Sequence, residues 1–322
     1  MFAITQTEPG GPETLKWTEV PTPEPGPGEV LVRTVAAGVN RADSLQRRGY
    51  YPPPPGITEI IGLEASGIIE KVGPDVDGWL PGDPVVALLA GGAYAEFFTV
   101  PAGQIISPPD NVELVESAAL IEVAATVLSN LERVKLSEGE TFLVHGGAGG
   151  IGSLAIPYAK SLGCTVLTTA SASKLEYCLE RGADAAIDYT SDWLAAVMKE
   201  TNGKGVDVIL DIIGAKYLDQ NISALADDGR MVIIGMQKGV KGELNIGKLL
   251  NKRATITATS LRMRPLAQKA AITQAVKTKI WPLYEDGVIS LPDITIFPMT
   301  EAEKAHELLD SGNSRGKIIL TI

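Results

Sequence analysis

Histidine and cysteine are the scarcest of the reactive residues in this 322-residue chain, with two of each: His145, His306, Cys164 and Cys178. Two cysteines cannot build a disulfide framework, and no Cys/His spacing matches a zinc site. His306 falls on an amphipathic helical pattern over 301–311 and is expected at the surface or its edge. His145 ends an apolar strand and is expected to pack or to bond backbone. Proton chemistry is therefore left to Tyr, Ser, Thr, Asp, Glu, Lys or solvent. Basic residues are also in deficit, with 28 Lys and Arg against 39 Asp and Glu and a net charge of −11. That balance argues against nucleic acid or an anionic membrane surface as the main partner. No apolar stretch reaches the roughly 18–20 residues needed to span a bilayer. Met1–Gln6 has neither a basic n-region nor an apolar h-region, so no signal peptide is read. A soluble, cytoplasmic protein is expected.

What the chain has in its place is a glycine turn, Val144-His145-Gly146-Gly147-Ala148-Gly149-Gly150-Ile151-Gly152. Strand-forming residues Thr141–Val144 lead into it, and a helical pattern (Ile151, Leu154, Ala155, Tyr158, Ala159, Leu162) follows. Strand, tight turn and helix together let a backbone approach a pyrophosphate and seat its charge on a helix N-terminus. The run lacks the Gly-Lys-Ser/Thr ending of a triphosphate-binding loop, so a dinucleotide is the better fit. The next strand, Thr165–Thr169, runs out into Ala170-Ser171-Ala172-Ser173-Lys174 with no carboxylate before Glu176. NAD-specific folds place an acid about 20 residues past the glycines to hold the ribose 2′-hydroxyl. Hydroxyls and an ammonium suit a 2′-phosphate instead, which points to NADPH. Ser173 is also placed to cap a helix over 174–181, and both readings can hold, since a capped N-terminus is itself an anion site.

With 45% hydrophobic residues and this length, about two domains are expected. Residues 1–115 read as β-rich, with strands at 29–35, 66–72, 84–88 and 94–100 and one short helix at 42–48, separated by Gly/Pro punctuation. Helical stretches at 116–125 and 126–133 lead into strands at 141–145, 165–169, 185–188, 206–212, 230–234 and 254–260. Helices at 151–162, 174–181, 193–201 and 216–225 alternate with the first five, and a shorter one falls near 246–250. That pattern predicts an α/β fold with a Rossmann-type doubly wound parallel sheet. Beyond 262 come a long helix over 266–285, a strand at 294–298, a helix at 301–311 with a Thr300/Glu303 capping box, and a strand at 317–322. The tail resembles the N-terminal part, so a discontinuous first domain is expected. The boundaries are 1–121 and 262–322 for this domain and 122–261 for the nucleotide-binding one. Pro157 inside the glycine-turn helix predicts a bend near Ser153.

Four segments then carry a family resemblance: Val39-Asn40-Arg41-Ala42-Asp43, Tyr51-Pro52-Pro53-Pro54-Pro55-Gly56, Gly62-Leu63-Glu64-Ala65-Ser66-Gly67 and Val144–Gly152. Together they resemble the quinone oxidoreductases, the zinc-free branch of the medium-chain dehydrogenase/reductase superfamily, over essentially the whole chain to Gly316-Lys317-Ile318. The resemblance implies a GroES-like catalytic domain. Zinc-dependent relatives carry a Cys and a Gly-His-Glu where this chain reads Gly38-Val39-Asn40 and Gly62-Leu63-Glu64, so metal-assisted alcohol oxidation is not expected. Small residues in Ile121–Leu128, where close relatives carry bulky aromatics, would open space near the nicotinamide, and Glu122 adds a charge there. The resemblance further implies that Ala148, Gly149, Gly150, Ile151 and Gly152 line the pyrophosphate. Ser171 and Lys174 would meet the 2′-phosphate with Tyr189 close by, unless Tyr189 is a packed strand-end aromatic. Asn40 and Thr126 would sit near the nicotinamide ribose and amide, with Gly235, Met236, Ser260 and Leu261 passing the ring. Lys317 could reach the cofactor from the tail, or be an ordinary surface lysine.

The expected activity is NADPH-dependent reduction of a quinone in the interdomain cleft, without a metal. Hydride transfer leaves an oxyanion on the acceptor, and a donor aimed at it contributes about 2.7–4 kcal/mol in known oxyanion holes. Candidate donors are the amide of Asn40 and the hydroxyls of Tyr50 and Tyr51, or those tyrosines simply line the cleft. Rival readings are a 2-enoyl or enone reductase, and a cofactor-binding crystallin-like or RNA-binding protein with little turnover, the latter opposed by the acidic balance. The uncharged segment Ala254–Ser260 at a sheet edge predicts a homodimer.

Overall fold

The computed structural model describes all 322 residues and divides into two compact units, Met1–Ala125 with Leu261–Ile322, and Thr126–Ser260. In chain order the first unit contains β1 (Phe2–Thr5), β2 (Lys16–Glu19), β3 (Glu29–Val39), α1 (Arg41–Arg47), β4 (Glu64–Val72), β5 (Pro84–Leu88), β6 (Phe97–Pro101), β7 (Ile105–Ile106) and α2 (Leu114–Ser117). Helix α3 (Ile121–Arg133) runs from this unit into the second. The second unit then alternates β8 (Thr141–His145), α4 (Gly150–Ser161), β9 (Thr165–Ala170), α5 (Leu175–Glu180), β10 (Ala185–Asp188), α6 (Trp193–Glu200), β11 (Val206–Asp211), α7 (Leu218–Ala224), β12 (Leu225–Ile233), α8 (Ile246–Asn251) and β13 (Thr255–Ala258). The chain returns to the first unit with α9 (Leu266–Lys279), α10 (Trp281–Glu285), β14 (Ile294–Pro298), α11 (Ala302–Ser311) and β15 (Lys317–Thr321).

The second unit is one six-stranded sheet in the order β10-β9-β8-β11-β12-β13, with every neighbouring pair parallel. Its near-continuous apolar strands are buried, as a sheet covered on both faces requires. The order reverses between β8 and β11, so the glycine turn leaves β8 at the position where doubly wound sheets bind nucleotides. The first unit is mainly antiparallel, in the order β14-β15-β3-β4-β5-β7, with β6 also on β3. Its core gathers Val30, Val32, Ile69, Val85, Tyr94, Ile105, Ile318 and Leu320. A small β1–β2 hairpin, pairing Phe2 with Glu19, escaped the sequence reading.

Several local expectations are corrected. The helix expected over 266–285 breaks at Ile280. Pro282, the second residue of α10, has no N–H to continue the ladder and its ring excludes a carbonyl one turn back. Ser173 caps nothing: residues 172–174 form a 3-10 turn, and its exposed hydroxyl lies 3.4 Å from that of Ser171. Thr300 is not an N-cap, because a 3-10 turn over 299–301 moves the start of α11 to Ala302. His306 is not at the surface but fully buried, in contact with Arg47 and Tyr94. Lys317 is only 3% exposed and so is no surface lysine. His145 packs against Trp193 and Tyr217, yet its ring nitrogens meet the side chains of Thr169 and Asn221 rather than backbone.

Pro157 sits within a single helix, α4, and the carbonyl it deprives of a partner is that of Ser153. Arg181, itself 9% exposed, donates to this oxygen from Nε at 3.1 Å and from its terminal nitrogen at 2.8 Å. The guanidinium thus stands in for the missing backbone donor. Replacing Arg181 by Met leaves that carbonyl unpaired in the interior and should cost about 1–3 kcal/mol in urea unfolding. Adding Pro157→Ala restores a backbone donor, so the double variant should recover part of the loss; strictly additive effects would refute the substitution of one donor for the other.

Candidate active site

Strand β3 ends at Val39, and Asn40 opens α1 as its N-cap. In the first unit's sheet, β3 lies between β15 and β4, with Ile318 opposite Val39 and Ala65 opposite Ala37. Lys317 and Glu64, each the first residue of its strand, therefore reach the end of β3 from opposite sides. Lys317 Nζ stands 2.5 Å from Glu64 Oε1 and 2.7 Å from Asn40 Oδ1. Asn40 Nδ2 donates to the same Glu64 oxygen at 2.9 Å. The second Glu64 oxygen accepts the amide of Glu122 at 2.9 Å, in the first turn of α3, where the helix end favours an anion. A Cβ at Gly38 would collide with this carboxylate, so a bare backbone is needed to bring it in.

The two charges resolve the orientation of the Asn40 carboxamide. An ammonium only donates and a carboxylate only accepts, so the amide oxygen faces Lys317 and the nitrogen faces Glu64. One N–H of the half-buried Asn40 then remains as a donor of fixed direction. Such a donor can stabilise negative charge developing on an acceptor oxygen.

Helix α1 is held by buried polar groups at both ends. At its start, Asp43 Oδ2 accepts the backbone amide of Asn40 at 2.8 Å and the Tyr94 hydroxyl at 3.3 Å. At its end, Arg47 reaches Asp310 at 2.6 Å and His306 Nδ1 at 3.2 Å. Because Arg47 only donates, His306 accepts at Nδ1 and carries its proton on Nε2, facing the Tyr94 oxygen at 3.2 Å. The chain of donors then runs Arg47, His306, Tyr94, Asp43. Burial, aided by the Arg47 charge, lowers the His306 pKa to about 3. Burial raises Asp43 to about 7 despite the Asn40 amide and the Lys317 charge, and its Oδ1 is buried without a hydrogen-bond partner. Burial also acts on Asp310, but hydrogen bonds from Arg47, Ser44 and Arg48 hold its pKa at about 2.

Of the two candidate tyrosines, Tyr50 is 77% exposed, whereas Tyr51 is half-buried with the Arg262 guanidinium 5.1 Å from its ring centre. Arg262 also donates to the carbonyl of Tyr51 at 3.1 Å, to that of Ala90 at 2.7 Å and to Gln46 Oε1 at 2.7 Å. Asn40 and Tyr51 thus belong to one unit, each fixed by its own cation. The parts played by Glu64, Asp43, Tyr94 and Arg262 escaped the sequence reading. Glu64 and Asp43 carried a signal, each ending or lying within a segment that bears the family resemblance.

In the second unit, Gly146 turns the chain with a positive φ, and the amides of Gly146 and Gly147 bond the Thr169 carbonyl at 2.9 and 3.0 Å. A Cβ at Gly152 would strike the backbone of Gly147, so α4 lies directly against the turn. Gly149 is exposed as the N-cap, with Gly146 O at 3.5 Å the nearest atom to a Cβ built there. The amides of Gly150, Ile151 and Gly152 belong to a helical first turn and have no intrahelical acceptor. This open, donor-rich turn suits a pyrophosphate. Ala148 is buried within it. Beyond β9, Ser171 and Lys174 are half-buried, and burial lowers the Lys174 pKa. Tyr189 is 49% exposed after β10, and its amide bonds the Ala170 carbonyl at 3.0 Å, so it is not a packed strand end. Gly235 and the exposed Met236 follow β12, and Ser260 follows β13. Thr126 is buried on α3. Leu261 is half-buried at the start of the first unit's second segment. The site residues therefore fall into two sets, one per unit, with His145 in neither. No cluster of three or more His, Cys, Asp or Glu side chains is grouped to hold a metal ion, and no helix is long and apolar enough to cross a membrane.

Residues 26–110 match the family described as alcohol dehydrogenase GroES-like domain, and residues 150–277 match zinc-binding dehydrogenase. The chain is 32% identical to a 2-haloacrylate reductase of a Burkholderia species and to quinone oxidoreductase 1 of Escherichia coli. Each alignment covers 97% of this chain and 96% of the relative. A crystal structure of Escherichia coli quinone oxidoreductase complexed with NADPH superposes with a TM-score of 0.90 at 29% identity, covering 100% of both chains.

The buried histidine sets a pH signature. Unfolded, His306 takes up a proton below about 6.5, whereas the folded protein refuses it until about 3. Its contribution to stability is therefore present above 6.5 and lost as pH falls. One proton of difference corresponds to roughly 1.4 kcal/mol per pH unit. The stability gap between the parent protein and His306→Gln in urea unfolding should narrow by that amount per unit between about pH 6 and 4. A gap independent of pH would contradict a neutral, enclosed His306.

Proposed function

The chain belongs to the quinone oxidoreductase family of the medium-chain dehydrogenase/reductases, and we propose that it is an NADPH-dependent quinone reductase that works without a metal. The observation that carries this reading is the acid-free corner beyond β9. There Ser171 and Lys174 sit half-buried, and the first carboxylate, Glu176, is exposed on α5. A 2′-phosphate meets hydroxyls and an ammonium there rather than a repelling charge. The turn over 146–152 supplies backbone donors for the pyrophosphate.

When bound, NADPH supplies a hydride. The work left to this chain is to orient the acceptor and to meet the charge that develops on it. Asn40, held between Glu64 and Lys317, offers the directed N–H, and Tyr51, stacked by Arg262, offers a fixed aromatic face. Thr126, Tyr189, Gly235, Met236, Ser260 and Leu261 are assigned to the cofactor, and Lys317 acts through Asn40. A second reading, reduction of an activated carbon–carbon double bond, draws support from the relative described as a 2-haloacrylate reductase. The same donor would serve an enolate oxygen.

NADPH and NADH oxidation should be compared with a naphthoquinone and with an α,β-unsaturated ketone. NADPH with the quinone should be the fastest pair, and Lys174→Ala should raise KM for NADPH at least tenfold while changing KM for NADH little. A preference for NADH would refute the phosphate assignment, and faster turnover of the enone would favour the second reading.

We also propose a cytoplasmic homodimer joined through β13, the edge strand of its sheet. Val240, Leu244, Ile246 and Leu250, between 44% and 72% exposed, provide apolar surface in the segment leading to that edge. Light scattering at micromolar concentration should give twice the mass of one chain, and Ala258→Pro, which removes an outward-facing N–H of the edge, should release monomers; a monomeric parent protein would end this assignment.

A further inference from the structure

Two cations of the first unit are buried with no carboxylate bonded to them, although the Asp43 and Glu59 charges reach Arg262 from further off. Arg262 is 5% exposed and satisfies three of its donors with neutral oxygens only: two backbone carbonyls and the Gln46 amide. Lys269, in the first turn of α9, is 4% exposed, and its ammonium makes no hydrogen bond or ion pair. Burial depresses its pKa, and the Arg262 charge adds to the effect. Every other buried lysine or arginine has a different arrangement. Lys317 is paired with Glu64, Arg47 with Asp310, and Arg181 serves an orphaned carbonyl. Burying a cation with no counter-charge is costly, and buried polar groups almost always find partners. Two buried cations whose charges act on each other are a setting that an anion brought by a ligand would relieve.

The place adjoins the aromatic assigned to the acceptor, since the Arg262 guanidinium stacks on Tyr51 and fixes its backbone. Two of the five guanidinium N–H donors remain after its three bonds. We propose that Arg262 and Lys269 form an anion subsite that receives a carboxylate or phosphate borne by the electron acceptor. This rests on the reductase reading for the acceptor's identity, but the anion site itself does not need turnover. The substrate class is thereby narrowed to acceptors with an electron-poor ring or double bond at one end and an oxyanion group at the other. Arg262 supplies planar, directional donors suited to either group, and Lys269 a point charge.

The test compares a naphthoquinone carrying a carboxylate side chain with its neutral methyl ester, in the parent protein and in Lys269→Met. Methionine keeps the apolar stem and removes an unpaired buried charge, so the variant should unfold at the same temperature or higher. In the parent protein kcat/KM should favour the carboxylate, and Lys269→Met should reduce that preference at least tenfold. Calorimetric binding of the carboxylate compound should weaken by a similar factor, and inorganic phosphate should compete with it in the parent only. Equal loss for acid and ester, or unchanged binding of the acid, would overturn the subsite. Absence of turnover with both compounds would count against the reductase reading, while the binding arm would still decide the anion site.

Discussion

The buried carboxylate of Glu64 is the interaction from which the candidate active site is built. Three independent parts of the chain converge on it: the end of β3 through Asn40, the last strand through Lys317, and the start of α3 through the Glu122 amide. A buried ion pair adds little net stability, because desolvation of both charges offsets their attraction. Its value here is specificity of geometry. With the ammonium on one side and the carboxylate on the other, only one rotamer of the Asn40 amide satisfies both, and the inverted one would set like dipoles against each charge. A catalytic donor gains most when its direction is set before the charge appears.

The same logic extends along α1. A seven-residue helix is marginal on its own, yet this one carries the site's oriented amide at its first turn. Its rigidity comes from polar contacts rather than from propensity. Asp43 secures the start, and Arg47 secures the end through Asp310 on α11. His306 and Tyr94 join the two ends inside the core, in a chain whose donor direction is dictated by the guanidinium.

How much of this could be read in advance follows from how far apart the partners lie. The second unit was legible because strand, turn and helix there are contiguous and periodic, and β10 and β8 fall at 185–188 and 141–145 as read. The glycine turn declared itself because close approach of α4 to Gly147 needs several glycines in one short run. Lys317 and Asn40 are 277 positions apart, and Arg47 and His306 are 259 apart. Nothing local marks such pairs. His306 illustrates the cost: an amphipathic pattern sets it near the polar face of α11, but it lies on the side that, with Asp310, meets Arg47 of α1 rather than water. Capping failed for a different reason, since 3-10 turns at 172–174 and 299–301 each shift a helix start by one residue without changing the residues present.

Charge shows the largest difference between reading a composition and reading a structure. The chain carries eleven more negative than positive charges, which argues against nucleic acid at its surface. The interior has the opposite sign: Arg47, Arg181, Arg262, Lys269 and Lys317 are buried, against Asp43, Glu64 and Asp211. Burial raises Asp43 to about 7 and Asp211 to about 6, and the same penalty lowers Arg262 and Lys269. Surface charges are screened over roughly 8–10 Å at physiological salt, whereas buried ones are not. A polyanion too large to enter meets only the acidic exterior. A small anion that reached Tyr51 would meet two cations with no carboxylate bonded to them, so the proposed subsite would select by size and charge together.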